Sequence, residues 1–189
     1  MLKEILADLK AYPVIAAIRD IEAVDVALSK PVRCIFMLTG NILDIKYPVT
    51  HIKKARKRVF LHVDLLEGIG KDAAGVKYIA EEIKPDGIIT TRSNLISSAK
   101  SEGIFAIQRV FFLDSQAVDT AVRTIRQVDP DAVEILPGVI PKIIKRMYEK
   151  VHHPLIAGGL IEEKKEVSEA LEAGAWAVSV SKDDLWNAF

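Results

Sequence analysis

The chain has 189 residues, and 26 Lys and Arg residues balance 26 Asp and Glu residues, so its formal net charge at pH 7 is zero. The length predicts one domain, and the charge balance argues mildly against a large sequence-independent nucleic-acid surface but does not exclude a local basic face. No long uncharged apolar run predicts a membrane span, and the N-terminus lacks the apolar core of a secretory signal. The single Cys34 excludes an internal disulfide and a cysteine-based zinc site, so we expect a cytoplasmic protein.

Short apolar, β-branched runs alternate with helix-patterned stretches along the chain, as expected for parallel strands joined by helices. The runs cover 14–18, 34–38, 59–66, 87–91, 104–111, 132–136, 154–159 and 175–181. Eight such units predict an α/β fold, a closed (β/α)8 barrel of the TIM type that spans residues 1–189 as one compact domain with short βα units. The alternative is an open doubly wound sheet, but Arg19 and Asp20 stand where its Gly-rich loop is expected.

Helix boundary signals lie between the runs. Asp114 is predicted to cap a helix over 115–128, Ser93 to cap one that ends before Gly103, and Gly174 to close the last long helix. The short spacing after the second run predicts only a helical stub between residues 41 and 50.

Polar side chains follow the runs at their carboxyl ends, where (β/α)8 barrels bind their ligands. The ligand-binding candidates are Arg19, His62, Asp64, Arg92, Arg109, Glu134, Gly158, Gly159, Ser179 and Ser181. Gly158 and Gly159 allow close approach to bare backbone, and a helix expected to begin at Lys182 would add free N–H groups. We therefore expect a phosphate to be bound after the seventh and eighth strands.

His62 and Asp64 are two residues apart, so on a strand they share one face. One interpretation is that Asp64 and Glu134 accept hydrogen bonds from ligand hydroxyls. Another is that Asp64 only pairs with His62 or an arginine, and a third is acid–base catalysis by His62 and Glu134. The same three residues form too loose a set to predict a metal site.

Arg92 and Arg109 either bind phosphate or carboxylate groups of a ligand, or pair with nearby acidic side chains. No run contains a lysine, so a Schiff-base nucleophile is not evident.

Basic residues cluster in HIKKARKR (51–58), which we expect to be helical. Its candidates for contact with RNA phosphates are Lys53, Lys54, Arg56, Lys57 and Arg58. The alternative is a solvated helix face. A second basic set follows in Lys142, Lys145, Arg146 and Lys150.

Six segments resemble the glycerol-3-phosphate-responsive antiterminators, and the resemblance extends from residue 14 to residue 186. They are HVDLLEGI, KPDGIITTR, AIQRVFFLD, EILPGVIPKII, AGGLI and SKDDLW. The resemblance implies a regulator and not an enzyme, with no cofactor or resident metal. Its effector would be glycerol 3-phosphate, and its macromolecular partner the leader mRNA of glycerol-uptake genes, in which it favours readthrough of a terminator.

The alternative function is a (β/α)8 isomerase or lyase that acts on a small phosphorylated substrate. The missing strand lysines favour the regulator, whereas the zero net charge and the lack of a known RNA-binding module favour the enzyme. The sequence leaves open whether the chain forms a homo-oligomer.

Overall fold

The computed structural model describes residues 2–187 and contains a closed barrel in which eight parallel strands pair in chain order, the last with the first. The strands are β1 (Val14–Ile18), β2 (Cys34–Met37), β3 (Arg58–His62), β4 (Gly87–Thr90), β5 (Phe105–Phe111), β6 (Ala132–Leu136), β7 (Leu155–Gly158) and β8 (Ala177–Val180). The strands read as continuous apolar runs because one face fills the barrel and the other contacts helices. The closed order confirms the predicted (β/α)8 barrel and excludes the open sheet.

Helices surround the barrel, and one precedes β1. They are α1 (Leu2–Ala11), α2 (Ala23–Ser29), α3 (Lys46–Lys54), α4 (Ala73–Tyr78), α5 (Ser93–Ser101), α6 (Ser115–Val128), α7 (Pro141–Lys150) and α8 (Lys164–Glu172). A π-helical turn at Ile79–Ile83 extends α4, and 3₁₀ turns occupy Val63–Leu65 and Asp183–Asn187. Within residues 2–187, no helix is long and apolar enough to cross a membrane.

Helix α1 closes the N-terminal end of the barrel. Its Ile5 and Leu9, four residues apart on one helix face, are fully buried against the inward-facing strand side chains, which include Ile15 and Phe60. Full burial of one such side chain stabilises the fold by roughly 1.5–3 kcal/mol. Because side chains fill this end, a ligand reaches the barrel interior from the carboxyl ends of the strands.

Three predicted helix boundary signals are confirmed and one is wrong. The Asp114 side chain accepts hydrogen bonds from two backbone N–H groups of the first turn of α6. Gly103 and Gly174 take positive φ angles of 72° and 111° after α5 and α8. Ser93, however, is the first residue of α5 and not its cap. The cap position belongs to Arg92, whose N–H donates to the Thr90 hydroxyl.

The helix expected as a stub between 41 and 50 is the nine-residue α3, and it begins and ends later than predicted. The stretch 51–58 is correspondingly not helical throughout. Helix α3 stops at Lys54, Arg56 takes a left-handed conformation with φ 59°, and Arg58 already pairs with Cys34 as the first residue of β3. The helix ends here because the chain must turn back to enter the barrel.

Strand β3 is shorter than the predicted run 59–66, because it ends at His62 and continues as the 3₁₀ turn that contains Asp64. The expectation that His62 and Asp64 share one strand face is therefore wrong. His62 keeps the inward orientation of Phe60, two residues before it, whereas the turn directs Asp64 toward the end of β4.

Candidate functional site

A cavity of about 540 Å³ opens at the carboxyl ends of the strands. Its volume lies within the range of small-molecule sites. Six of the ten predicted ligand residues line it, namely Arg19, Arg109, Glu134, Gly159, Ser179 and Ser181. The cavity is also lined by Leu38, Leu160 and Glu162, which sequence reasoning missed, and by Lys182, which it placed after the eighth strand beside the expected phosphate. The sequence places them after the same strands, but only the loop conformations decide which side chains reach the cavity.

A buried carboxylate forms the polar wall of the cavity. Arg109 Nε lies 2.7 Å from Glu134 Oε2, and the Ser179 hydroxyl donates to Glu134 Oε1 across 2.6 Å. Glu134 is fully buried, so these contacts compensate the loss of water around its charge. Register explains the ion pair, because Arg109 and Glu134 are partners on the adjacent strands β5 and β6. Arg109 has five N–H donors and thus keeps donors for a second anionic group.

Gly158 and Gly159 have different structural roles. A Cβ on Gly158 would lie 2.5 Å from Ser179 Oγ and 2.6 Å from Glu134 Oε1, so glycine here makes room for the buried carboxylate. Gly159 lines the cavity with φ 79°, and Leu160 follows with φ 62°. Two consecutive left-handed residues shape this part of the cavity wall.

The helix expected to begin at Lys182 is a five-residue 3₁₀ turn, Asp183–Asn187, with two carboxylates in its first turn. It therefore does not provide the N-terminus of a long helix, so the helix expected to begin at Lys182 is wrong, while phosphate binding by backbone N–H groups at this place stays a prediction. The turn is held by buried Trp186, whose indole N–H donates to the Val180 carbonyl across 2.9 Å. Positive charge at the cavity comes instead from the side chains of Arg19, Arg109 and Lys182.

Asp64 lies outside the lining of the cavity and is held by the end of β4. Its carboxylate accepts hydrogen bonds from the Thr90 hydroxyl and from both the N–H and the hydroxyl of Thr91. Arg92 Nε lies 3.3 Å away. Burial opposes ionisation of Asp64, but the hydrogen bonds from Thr91 and Thr90 outweigh it, so the pKa of this carboxyl lies below its ordinary value. These contacts match the interpretation in which Asp64 pairs with an arginine. A ligand role for Asp64 or Arg92 stays a prediction.

His62 projects into the barrel interior and is 3% exposed. Burial lowers the pKa of its imidazole from 6.5 to about 4, the nearby Arg109 guanidinium adds to this effect, and Asp64 opposes it. The ring is therefore neutral at pH 7. Among the described residues, no hydrogen-bond partner reaches His62 Nδ1. Lys71, which the sequence placed only in a flanking loop, holds the turn after His62 by donating to the carbonyls of Val63 and Leu66.

His62, Asp64 and Glu134 do not form a metal site in the structure. Within residues 2–187, no group of three or more His, Cys, Asp or Glu side chains could hold a metal ion. Glu134 is occupied by Arg109 and Ser179, and Asp64 is turned toward β4.

The basic residues of 51–58 lie at the opposite end of the barrel from the cavity, and three of them, Lys53, Lys57 and Arg58, have structural partners. Lys57 donates to the carbonyl of Ala27 in the last turn of α2 and to those of Lys30 and Val32 just after it. Arg58 pairs with Asp8 of α1 and with buried Asp86.

Lys53 donates to the Lys84 carbonyl across 2.7 Å, while Lys54 and Arg56 are exposed. In the second basic set, Lys150 pairs with Asp119, whereas Lys142 and Lys145 are exposed beside Glu169 and Glu172.

Comparison with known proteins adds to this geometry. The chain is 37% identical over 178 residues to the uncharacterized protein YgcP of Escherichia coli (strain K12). The aligned residues cover 94% of this chain and 93% of YgcP. The fold of the present chain is similar to that of the glycerol uptake operon antiterminator regulatory protein of Listeria monocytogenes, with a TM-score of 0.88. The two are 38% identical, and the match covers 92% of this chain and 94% of that protein. A glycerol uptake operon antiterminator-related protein of Thermotoga maritima has 32% identity, coverage of 92% and 96%, and a TM-score of 0.82.

More distant similarities concern the fold alone. Orotidine 5′-phosphate decarboxylase of Pyrococcus horikoshii has a TM-score of 0.67 at 16% identity, with 88% of each chain covered.

The family model described as glycerol-3-phosphate responsive antiterminator matches residues 14–186, nearly the whole chain. The chain therefore belongs to the glycerol-3-phosphate responsive antiterminator family.

Proposed function

We propose that the chain binds glycerol 3-phosphate in the cavity at the carboxyl ends of the strands, and that the bound form acts on the leader mRNA of glycerol-uptake genes to favour readthrough of a terminator. The observation that carries the ligand part is the composition of the cavity wall, which combines the cations Arg19, Arg109 and Lys182 with the carboxylate of Glu134. A phosphate ester needs the cations, and a diol needs an acceptor for its hydroxyl protons. The protein requires no further cofactor and works in the cytoplasm, where leader transcripts are made.

The orientation of the ligand follows from the position of the charges. Glu134 is at the buried wall, and a phosphate placed against it would meet a like charge. We place the phosphate near Gly159, Ser181 and Lys182, with the glycerol hydroxyls toward Glu134 and Ser179. A hydrogen bond to a charged group contributes roughly 1.5–3 kcal/mol. This arrangement keeps the sequence-based assignments of Glu134 to the hydroxyls and of Gly159 to the phosphate, whereas Gly158 makes room for the Glu134 carboxylate.

Titration calorimetry with glycerol 3-phosphate, glycerol and inorganic phosphate tests the ligand part. We expect glycerol 3-phosphate to bind more tightly than either fragment, because only the intact molecule reaches both the cations and Glu134. Comparable affinity for inorganic phosphate would contradict this arrangement. A nuclear magnetic resonance time course on the same mixture tests the enzyme alternative, since conversion of the ligand would identify an isomerase or lyase.

A binding assay with a transcript of the leader upstream of a glycerol-uptake gene tests the RNA part. We expect glycerol 3-phosphate to increase the fraction of RNA bound, while glycerol serves as the matched control ligand and has no effect. If the protein does not bind the transcript either with or without glycerol 3-phosphate, the RNA part of the proposed function is refuted.

A further inference from the structure

We propose that the leader RNA contacts the N-terminal end of the barrel, opposite the effector cavity, through a basic patch built by three loops. The basic patch consists of Lys30, Arg33, Lys53, Lys54, Arg56 and Lys84. These residues belong to the connections that enter β2, β3 and β4, so the patch is assembled by the fold and is not a single helix face. This inference rests on the proposed function, in which RNA is the macromolecular partner.

Backbone contacts place the three loops side by side. The Lys53 side chain donates to the Lys84 carbonyl across 2.7 Å, which joins the second and third loops. The Arg58 N–H donates to the Arg33 carbonyl across 2.8 Å, which joins the first and second. A shallow cavity of about 180 Å³ lies at the middle of the patch and is lined by Lys53, Arg56, Lys57, Arg58 and Asp86.

Few carboxylates offset this charge in the loops themselves. Residues 30–33, 55–57 and 84–86 contain one acidic residue, Asp86, and it is buried against the Val59 N–H and the Arg58 guanidinium. From the neighbouring α1, Asp8 pairs with Arg33 and Arg58, but Arg33 remains more than half exposed. Glu4 lies 3.6 Å from Arg58, and Glu82 lines a groove with Lys53, Lys54 and Lys84, but the basic residues still outnumber these carboxylates.

The rim of the effector cavity has the opposite character. The loops at the carboxyl ends of β1, β3, β7 and β8 carry the exposed carboxylates Asp20, Glu22, Glu67, Asp72, Glu162, Glu163, Asp183 and Asp184. The same loops also carry the exposed cations Arg19 and Lys182, but carboxylates outnumber cations there, whereas cations outnumber carboxylates in the basic patch. A long polyanion is attracted to the basic end and repelled from the acidic rim, because charges within a Debye length of about 10 Å dominate its approach.

Backbone conformation marks two of the basic positions. Arg56 and Lys84 follow α3 and the π-helical turn with φ 59° each, in the left-handed region that favours glycine. After α5 and α8 the chain uses Gly103 and Gly174 for such a turn, and after α6 it uses Asp129 with φ 48°. A cation anywhere in the last turn would satisfy the helix dipole, so the dipole does not require a cation at the left-handed residue itself. Contact with an external anion explains why a cation occupies each of these two left-handed positions.

Exposed aromatic surface beside the patch favours RNA over an acidic protein. Tyr47 on α3 is 76% exposed and is stacked on His51, with ring centroids 6.0 Å apart and 9° between the ring planes. Residues 47, 51 and 54 lie on one helix face, so this pair leads to Lys54 in the patch. Single-stranded nucleic acids combine phosphate contacts with base stacking on aromatic rings.

The double variant Arg56→Gly/Lys84→Gly tests the surface without endangering the fold, because glycine adopts both backbone conformations readily. We expect unfolding stability and glycerol 3-phosphate affinity to be retained, while affinity for the leader transcript falls. The slope of log affinity against log salt concentration should decrease by about 1.4, since each lost phosphate contact to a single strand contributes about 0.7. The matched control, Lys142→Gln/Lys145→Gln, removes the same charge from α7 and should keep the wild-type slope.

The outcomes separate this inference from the proposed function. If the wild-type protein binds leader RNA and the glycine variant binds with the same affinity and slope, the basic patch is not the RNA surface, and the proposed function stands. A loss confined to the α7 variant would place the RNA on α7 and overturn the inference. If the wild-type protein does not bind the transcript at all, the RNA part of the proposed function and the inference both fail.

Discussion

Acidification from pH 7 to pH 5 should destabilise this protein through His62. The imidazole has a pKa of about 4 in the folded chain, against 6.5 as its ordinary value. The folded state therefore keeps the ring neutral where the unfolded chain already binds a proton. The free energy of unfolding therefore decreases as the pH falls through 6.5, and it continues to decrease until about pH 4. The difference between the two pKa values corresponds to about 3.4 kcal/mol in full, of which roughly 2 kcal/mol is lost at pH 5.

Urea unfolding at both pH values, on the wild-type protein and on His62→Gln, isolates this contribution. Glutamine keeps a polar side chain but does not titrate, so the wild-type protein should lose roughly 2 kcal/mol more than the variant between pH 7 and pH 5. Asp64 does not interfere, because its pKa lies below 3.8. Equal losses in the two proteins would refute the buried neutral state of His62.

Substitutions at three further positions probe the proposed effector site and its surroundings. Gly159→Asp should abolish glycerol 3-phosphate binding in calorimetry because it adds negative charge to the cavity wall, whereas Gly159→Asn, which has the same shape and tolerates the φ of 79°, should weaken it less. Asp64→Asn should cost about 1–3 kcal/mol of unfolding free energy and weaken glycerol 3-phosphate and inorganic phosphate equally; a selective loss of glycerol 3-phosphate would instead indicate direct ligand contact. Arg109→Met leaves the buried Glu134 charge without its guanidinium partner, and should lower the free energy of unfolding measured in urea by about 3–5 kcal/mol. An unchanged midpoint of urea unfolding would contradict the ion pair.

The barrel could be predicted because its determinants are local and repeated. Each strand is a short apolar run, and alternation with helices permits few other topologies. The inward direction of Arg109, Glu134 and Ser179 also follows from the strand period of two. Their mutual pairing does not, because it depends on which residues become neighbours in the closed sheet, and the sequence was equally consistent with other acidic partners for Arg109.

Errors arose where the chain leaves a regular element without a glycine or proline to mark the point. The run through Val63, Asp64 and Leu65 is apolar enough to continue β3, but it forms a 3₁₀ turn held by Lys71. Helix α3 ends at a turn whose left-handed residue is Arg56, so the basic stretch looked like one helix. In both places tertiary contacts decide where the strand or helix ends, and these contacts cannot be read from the spacing of residues in the sequence.

Strand β3 connects the two ends of the barrel that the proposals assign to different ligands. It begins with Arg58, which lines the cavity in the basic patch, and ends with His62, the inward-facing side chain nearest in sequence to the Asp64 turn. Five residues of extended chain span only about 13 Å between their first and last Cα atoms. If glycerol 3-phosphate raises the affinity for RNA by some factor, RNA must raise the affinity for glycerol 3-phosphate by the same factor, because the coupling free energy between two sites is reciprocal.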